Sequence, residues 1–481
     1  MNKGHDLPLV VDLDGTLLRS DLLMEAGLMF LRDQPHRCLA PLQWMLRGKA
    51  ALKRELADAT EIDVSVLPYD RGVLEFIESE RLRGRRVVLA TAADSRLAQR
   101  VAQHLALFDE VIATEGNRNL SAKVKRDALV SSFGHRGFDY AGNSHDDLPV
   151  WGAARQAYVV NASGGIERRA RSQGNVAGVF RSERSSLRDW SRAMRLHHWL
   201  KNVLIFVPLL TAHRYSEPIL LLQAMLAFVC YGLCASSVYV MNDLLDLRDD
   251  RHHARKRFRP FASGRLSIQS GLVAFPFLLA AAFGLALWQL PQAFSNVLAS
   301  YYVLTVGYSL VLKRRMVVDV VALAILYTLR VIAGAAALSI PLSFWLLAFA
   351  MFIFMSLALV KRYAELSRMS TKGREEGEVR KAPGRGYFLD DLQMIGSLGT
   401  ASGYMAVLVL ALYVNDPHTA QLYRHQEVIW LACPLLLTWI SRVWMMAHRG
   451  YMNEDPVVFA VRDRVSLGIG VLIAIVFLAA I

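Results

Sequence analysis

Cysteine is scarce: four residues in 481, at positions 38, 230, 234 and 433. Cys230 and Cys234 stand four apart in an apolar run, a spacing that reads as helix packing, so no disulfide framework or Cys-rich metal site is expected. A secretory leader is not expected either. The first residues, MNKGHDLPLVVDLDG, break a strand-length apolar stretch with acidic groups, and the leading domain is therefore expected to stay in the cytosol. Acidic residues are in short supply: 42 Asp and Glu stand against 55 Lys and Arg, a formal net charge of +13. In a soluble chain that excess would point to nucleic acid. Here 54% of the residues are apolar and they bunch into long runs after about residue 200. No nucleic-acid partner is expected; the positive charge belongs to loops facing an anionic membrane surface.

Residues 1–180 read as a soluble α/β domain, residues 181–197 as a basic linker or interfacial helix, and residues 198–481 as an all-α membrane domain. In the first part, apolar strands recur at Leu7–Leu13, Arg86–Thr91, Glu110–Ala113, Phe138–Ala141 and Ala157–Val160, separated by helix-length segments of mixed polarity. That rhythm predicts a parallel, Rossmann-like sheet with helices on both faces. Leu22–Arg32 and Pro41–Asp58 predict a small helical cap after the first strand. In the linker, Trp190, Met194 and Leu196 alternate with bases, a pattern for a helix lying at a membrane surface.

About nine apolar spans follow, near residues 198–213, 217–241, 268–289, 292–312, 317–338, 342–361, 394–414, 427–447 and 464–481. Basic segments such as RDDRHHARKRFRP and KRYAELSRMSTKGREEGEVRK follow the even-numbered spans, and the intervening turns carry few Lys or Arg. The positive-inside rule puts the basic loops in the cytosol, on the same side as the leading domain, and the spans in the inner (cytoplasmic) membrane.

Two constellations carry chemistry. The first is Asn242-Asp243-Leu-Leu-Asp246-Leu-Arg-Asp249-Asp250, where the second span ends. On a continuous helix Asp243, Asp246 and Asp250 fall at i, i+3 and i+7, on one face. Carboxylates that close repel one another, and Mg²⁺ shared with a diphosphate is the natural neutraliser. Lys256, Arg257 and Arg259 follow at once, suited to phosphate oxygens. A solvated charged loop is the bland alternative; the Asn-Asp-x-x-Asp order at a helix end argues against it.

This segment resembles the first aspartate-rich motif of the UbiA superfamily of intramembrane prenyltransferases, which have nine transmembrane helices. Trp199-Leu-Lys201-Asn202-Val, Lys256-Arg257-Phe-Arg259-Pro260, Tyr308-Ser-Leu-Val-Leu-Lys313 with Asp319, and Asp455-Pro-Val-Val-Phe-Ala are similar to the decaprenyl-phosphate phosphoribosyltransferase branch. The resemblance covers roughly residues 190–481. It implies phosphoribosyl pyrophosphate as donor and a polyprenyl phosphate as acceptor, with Lys201 and Lys313 as candidates for the lipid phosphate. For both lysines, interfacial snorkelling is an equal alternative. The second Asp-x-x-x-Asp motif of aromatic prenyltransferases is absent: four residues after Asp319 stands Leu323. One acidic wall with many bases suits a phosphosugar better than a prenyl diphosphate. Arg330, inside the fifth span, is read as a phosphate contact or a structural partner, with nothing to choose between them.

The second constellation is Leu9-Val-Val-Asp12-Leu-Asp14-Gly15-Thr16, an apolar strand running into two aspartates and a glycine. Ligands of parallel sheets gather at strand carboxyl ends. There one carboxylate can attack a phosphoryl group while its neighbour handles protons. The segment resembles motif one of the haloacid dehalogenase-like phosphatases over roughly residues 1–165. That resemblance implies Asp12 as nucleophile, Asp14 as general acid and base, Thr91 as the motif-two hydroxyl, and Lys125 (Lys123 second) as the phosphoryl-binding lysine. Mg²⁺ would be held by Asp12, Asp14, Asn143 and Asp147. Asn143 departs from the family, which places Asp there; an amide offers oxygen without charge and weakens metal binding. Such a phosphatase would act on the phosphoribosyl-lipid product. Competing readings are a prenyltransferase with a regulatory leading domain, and a lipid or metabolite transporter. A transporter predicts charge spread through its spans, whereas here charge clusters at one face.

Overall fold

The computed structural model describes residues 7–116, 119–181, 185–376, 385–416, 423–452 and 455–481. The chain forms two compact units: Met1–Met194 with Tyr239–Phe275, and Arg195–Val238 with Pro276–Ile481.

The first unit is built on a six-stranded sheet of β1 (Leu9–Val11), β2 (Val87–Asp94), β3 (Glu110–Thr114), β4 (Asp139–Gly142), β5 (Ala157–Val160) and β6 (Val176–Phe180). Every pairing is parallel and the order is β3-β2-β1-β4-β5-β6. The central strand shows why so short a run suffices. Leu9 and Val11 enter one apolar core and Val10 the other, all three fully buried. Val87 and Leu89 repeat this on one face, Val88 and Ala90 on the other. Side chains alternate with period two, so a strand covered on both faces is apolar throughout. The five expected strands are present. β6 was not among them; Gly178 interrupts its short apolar run, Val-Ala-Gly-Val-Phe.

Between β1 and β2 the cap is made of α1 (Leu22–Asp33), α2 (Ala40–Leu46), α3 (Lys49–Ala59) and α4 (Arg71–Leu82). Asp21 caps α1 by accepting from the Met24 amide at 3.0 Å, the usual use of Asp before a first turn. The stretch expected to be one helix from Pro41 is two. It breaks at Gly48, whose φ of +107° lies where only glycine is comfortable. The other helices of this unit are α5 (Ser95–Leu105), α6 (Ala122–Phe133), α7 (Leu148–Ala153), α8 (Gly164–Arg171) and α9 (Leu187–Ala193). α9 falls in the expected interfacial linker, of which residues 182–184 lie outside those described.

The membrane helices run α10 (Val207–Thr211), α11 (Pro218–Leu245), then the short α12 (Leu247–His252), α13 (Ile268–Gln289), α14 (Gln292–Leu310), α15 (Val318–Leu338), α16 (Phe344–Glu376), α17 (Leu392–Val414), α18 (Ala432–His448), α19 (Pro456–Arg462) and α20 (Arg464–Ala480). Among the described residues six of these are long and apolar enough to span, or seven if α19 and α20, bent by 80°, count as one. The expected nine is not reached. The run at 198–213 is a 3-10 segment, Leu196–Phe206, followed by the five residues of α10. α14 carries Gln292, Ser295, Asn296, Ser300 and three tyrosines. The chain is thus a multi-pass membrane protein. In its second unit backbones approach closely at small residues: a Cβ on Gly334 of α15 would lie 2.0 Å from the Ile205 carbonyl oxygen.

One ion cluster locks the amino ends of the inner strands of the first unit's sheet. Asp139, with no exposed surface, accepts from Arg155 Nε at 2.9 Å and pairs with Arg85, which also meets Glu80 at 2.8 Å. Removing one partner strands buried guanidinium charge. Asp139→Ala should destabilise this unit by about 3–5 kcal/mol, seen as a lower urea midpoint in pulse proteolysis of the detergent-solubilised chain. An unchanged midpoint would contradict it.

Candidate active sites

At the carboxyl end of β1 the chain turns through Asp12, Asp14 and Gly15. Lys125, delivered by α6, places Nζ 2.7 Å from Asp12 Oδ1 and 3.0 Å from the Tyr140 hydroxyl. Tyr140 in turn donates to Asp147 Oδ1 at 2.7 Å. Asp12, Lys125 and Asp147 are all buried. Asp14 Oδ1 accepts from the Leu22 amide at 2.8 Å. Gly15 has φ +73°, and a Cβ there would stand 2.1 Å from Asn143 Nδ2. The missing side chain is therefore a cradle that brings the Asn143 amide against the Asp12–Gly15 turn. Two carboxylates and one amide oxygen fit an oxygen-loving divalent cation, with one charge fewer than three carboxylates would bring.

Thr91 is fully buried at β2, its hydroxyl oxygen accepting from the Ala93 amide at 3.0 Å. Asp147, expected as a metal ligand, is occupied otherwise. Besides Tyr140 it accepts from the Asn143 and Ser144 amides at 3.0 and 2.9 Å and from the Ser144 hydroxyl at 3.0 Å. It braces the loop that carries Asn143. Lys53 of the cap was not foreseen. Its ammonium donates to the Ala92 carbonyl at 2.5 Å and to Asn119 Oδ1 at 2.7 Å. It lines, with Asp12, Asp14, Lys125 and Asn143, a cavity of about 570 Å³. No motif marks it, because it comes from the insertion.

Burial pushes Asp14 up to about 8, helped by the negative charge of Asp21. Asp12 rises to about 6, burial outweighing the Lys125 ammonium beside it. A carboxyl protonated near neutrality is what proton donation to a leaving group requires.

The aspartate-rich segment also belongs to the first unit. α11 stops at Leu245, and Asp246 has left the helical region, with φ −96° and ψ 12°. The break rearranges the expected triad. Asp243 Oδ1 and Asp250 Oδ2 converge on Arg259 Nη1 at 3.2 and 2.6 Å, both aspartates nearly fully buried. Asp246 turns instead toward Arg32 of α1, 3.8 Å away, which also pairs with Asp249. Asp competes for backbone donors and favours helix ends, so Asp246 leaves the expected face while Asp243 and Asp250, at i and i+7, still share it. Among the described residues no three acidic, His or Cys groups gather as a metal cluster. Two carboxylates meeting at one cationic nitrogen are still a donor set that fits a cation. Burial holds Asp250 above its ordinary value against the pull of Arg259. Asn242 is half-buried in the last turn of α11, and Lys256 and Arg257 are exposed on a 3-10 turn. Arg251 is buried and held by Glu25 of α1 at 2.6 and 2.8 Å.

In the second unit Lys201 Nζ lies 2.6 Å from Asp455 Oδ2, joined by Lys361 at 3.4 Å and the Tyr327 hydroxyl at 3.1 Å to Oδ1. Asn202 Oδ1 accepts from Arg330 Nε at 3.0 Å. Arg330 also donates to Tyr301 and lies 5.0 to 5.6 Å from three tyrosine ring centres, so it has structural partners. Asp319 accepts from Arg362 Nε at 2.6 Å and the Tyr387 hydroxyl at 2.5 Å. The Tyr308 hydroxyl accepts from Arg362 and Arg385 at 3.0 and 3.1 Å, and the Lys313 carbonyl from Arg385 at 3.4 Å. Lys361 and Arg362, adjacent on α16, tie the two networks together. The sequence hid them, since that stretch reads as loop and is helix.

Two domains of enzyme families are thus defined, one on a parallel sheet and one on membrane helices. The chain belongs to the UbiA prenyltransferase family, whose model matches residues 203–460. A haloacid dehalogenase-like hydrolase domain precedes it, matched over residues 9–151. The protein named "Uncharacterized protein y4nM" from Sinorhizobium fredii is 36% identical over 98% of this chain and 91% of its own. Nodulation protein NoeC of Azorhizobium caulinodans is 38% identical over 60% of this chain and 92% of its own. Decaprenyl-phosphate phosphoribosyltransferase of Mycobacterium tuberculosis is 36% identical over 36% of this chain and 59% of its own.

The raised Asp14 makes a pH prediction. Its native value lies above the ordinary 3.8, so the folded chain holds a proton that the unfolded chain releases. That contribution is complete below pH 3.8 and is lost as pH climbs through about 8. With chelator present, Asp14→Asn should raise Tm at pH 8 by roughly 4 °C or more and leave it unchanged near pH 4. Equal shifts at both pH values would contradict the buried-charge account.

Proposed function

We propose that the membrane domain transfers the phosphoribosyl group of phosphoribosyl pyrophosphate to a polyprenyl phosphate, with Mg²⁺ as cofactor. The observation that carries this reading is the convergence of Asp243 and Asp250 on one cationic point beside Lys256 and Arg257. Mg²⁺ bound there offsets the charge of the departing pyrophosphate. Asp243 and Asp250 would hold it, with Asp246 and the Asn242 amide as further donors. Lys256, Arg257 and Arg259 bind phosphate oxygens, and Lys201 and Lys313 are assigned to the lipid phosphate. That phosphate is already anionic and needs no base to attack the anomeric carbon. Preorganised charge supplies the rate. Asp319 supports a phosphosugar over a prenyl diphosphate, since its carboxylate is taken up by Arg362 and Tyr387 and offers no second acidic wall. The similarity to decaprenyl-phosphate phosphoribosyltransferase of Mycobacterium tuberculosis supports this choice.

We assign the N-terminal domain a phosphatase role. Asp12 attacks phosphorus, Lys125 and Lys53 hold the phosphoryl oxygens, and Asp14 gives its proton to the leaving oxygen. Asp12, Asp14 and Asn143 are the donors for Mg²⁺ there, and Thr91 fixes the strand end. The natural substrate is the phosphate left on the phosphoribosyl lipid. The basic loops and this domain face the cytosol from the inner membrane.

Incubating membranes with radiolabelled phosphoribosyl pyrophosphate and a polyprenyl phosphate should move label into the organic phase. Asp250→Asn or Asp243→Asn should lower kcat/KM by about 100-fold or more, and Asp246→Ala should abolish transfer while the protein still inserts. Label that stays aqueous with the native chain, or turnover undiminished in all three variants, would remove the assignment.

A further inference from the structure

The cavity at the end of β1 has walls of two kinds. Asp12, Asp14, Lys53 and Lys125 furnish its floor, and Met45, Leu52 and Leu56 of the cap form one side. Ser267, Ile268 and Gln269 line it as well. These three residues open α13, one of the helices long and apolar enough to span a membrane. The phosphatase cavity therefore sits where a span begins.

Among the described residues the cap helix beside it has no apolar partner for its outer face. Trp44 points inward, 8% exposed and edge-on to Phe30 at 5.0 Å. Leu39, Leu42, Met45 and Leu46 point outward, 70, 67, 55 and 88% exposed. Eight residues, 39–46, presenting four large apolar side chains to water is unusual for a soluble surface. The charge around them has one sign. From Gln34 to Arg54 there is no Asp or Glu, and Arg37, Arg47, Lys49 and Arg54 are all exposed. An apolar face flanked by bases alone is complementary to an anionic bilayer interface, where the leucines meet acyl chains and the bases meet headgroups. Met45 belongs both to that face and to the cavity wall. The face is thus continuous with the entrance.

We propose that α2 lies in the bilayer interface and that the cavity behind it takes the phosphate monoester of a membrane lipid, admitted along the membrane surface past Met45. The inference rests on the phosphatase reading. In the reaction an Asp12 carboxylate oxygen bonds to phosphorus as the bond to the lipid's ester oxygen breaks and that oxygen takes the Asp14 proton. Water then attacks the phosphoryl group, giving a proton back to Asp14, and orthophosphate leaves with the Asp12 carboxylate restored. The lipid keeps its hydroxyl and stays in the membrane.

The full chain in nanodiscs of phosphatidylglycerol and phosphatidylcholine can be given two substrates with the same 5-phosphate: synthetic 5-phosphoribosyl polyprenyl phosphate and ribose 5-phosphate. kcat/KM should be at least about 100-fold higher for the lipid form. The double variant L42E/L46E, outside the cavity, should lose about tenfold or more on the lipid and nothing on ribose 5-phosphate. Equal kcat/KM for the two substrates, or a variant that slows both alike, overturns the proposal. A second measurement needs no turnover. Cys38 is exposed while Cys230, Cys234 and Cys433 are buried, so a nitroxide can be placed beside Leu39 alone. Its collisions should be frequent with oxygen and rare with a water-soluble nickel chelate, and L42E/L46E should reverse that order. Frequent nickel collisions in the native chain overturn the docking surface. A membrane-buried label without hydrolysis of either ester would overturn the phosphatase reading and leave the docking surface standing.

Discussion

A carboxylate buried where a membrane helix ends must find a cation, and two of them in one place must share it. Asp243 and Asp250 are in that position, with Arg259 between them. The cost of burying such charges is several kcal/mol each unless they are compensated, so the segment cannot be electrostatically neutral ground. It holds either an internal base or something brought from outside. Much of the local construction follows. The helix yields at Asp246, Arg251 is clamped by Glu25, and Arg32 reaches Asp246 and Asp249. Each is a cation placed against an acid rich enough to need one.

The same logic runs through the N-terminal unit with a different outcome. Asp12 meets Lys125, whereas Asp14 accepts from the Leu22 amide and lies near the negative charge of Asp21, with burial and that charge outweighing the pull of Lys53. Its proton is therefore retained to unusually high pH. One aspartate is poised to attack and its neighbour to donate, a division set by surroundings. Asn143 and the brace made by Asp147 keep the turn in shape at the expense of negative charge.

How much of this was legible depended on how far apart the partners lie. The strands of the sheet were readable because each carries its own apolar signature, and Asp12, Asp14 and Gly15 because the motif is contiguous. Lys125 was placed from motif spacing, and the structure brings it to Asp12. The membrane spans were visible as apolar runs, but nine are not found among the described residues, where Leu196–Phe206 winds into 3-10 turns before the five residues of α10. What spacing misjudged was the aspartate face, because a helix wheel assumes a helix that continues. Lys53, Arg362 and the Glu25–Arg251 pair were invisible for another reason. They join residues many positions apart, and no local pattern announces such a meeting.

The central claim, that Asp243 and Asp250 hold a divalent cation together with pyrophosphate, is most directly examined by Mn²⁺ electron paramagnetic resonance. Full-length protein carrying Asp12→Asn, to silence the N-terminal site, would be titrated with Mn²⁺ and pyrophosphate. The account predicts one tightly bound ion whose signal disappears when Asp250→Asn is added. An ion bound equally well after that substitution would contradict it.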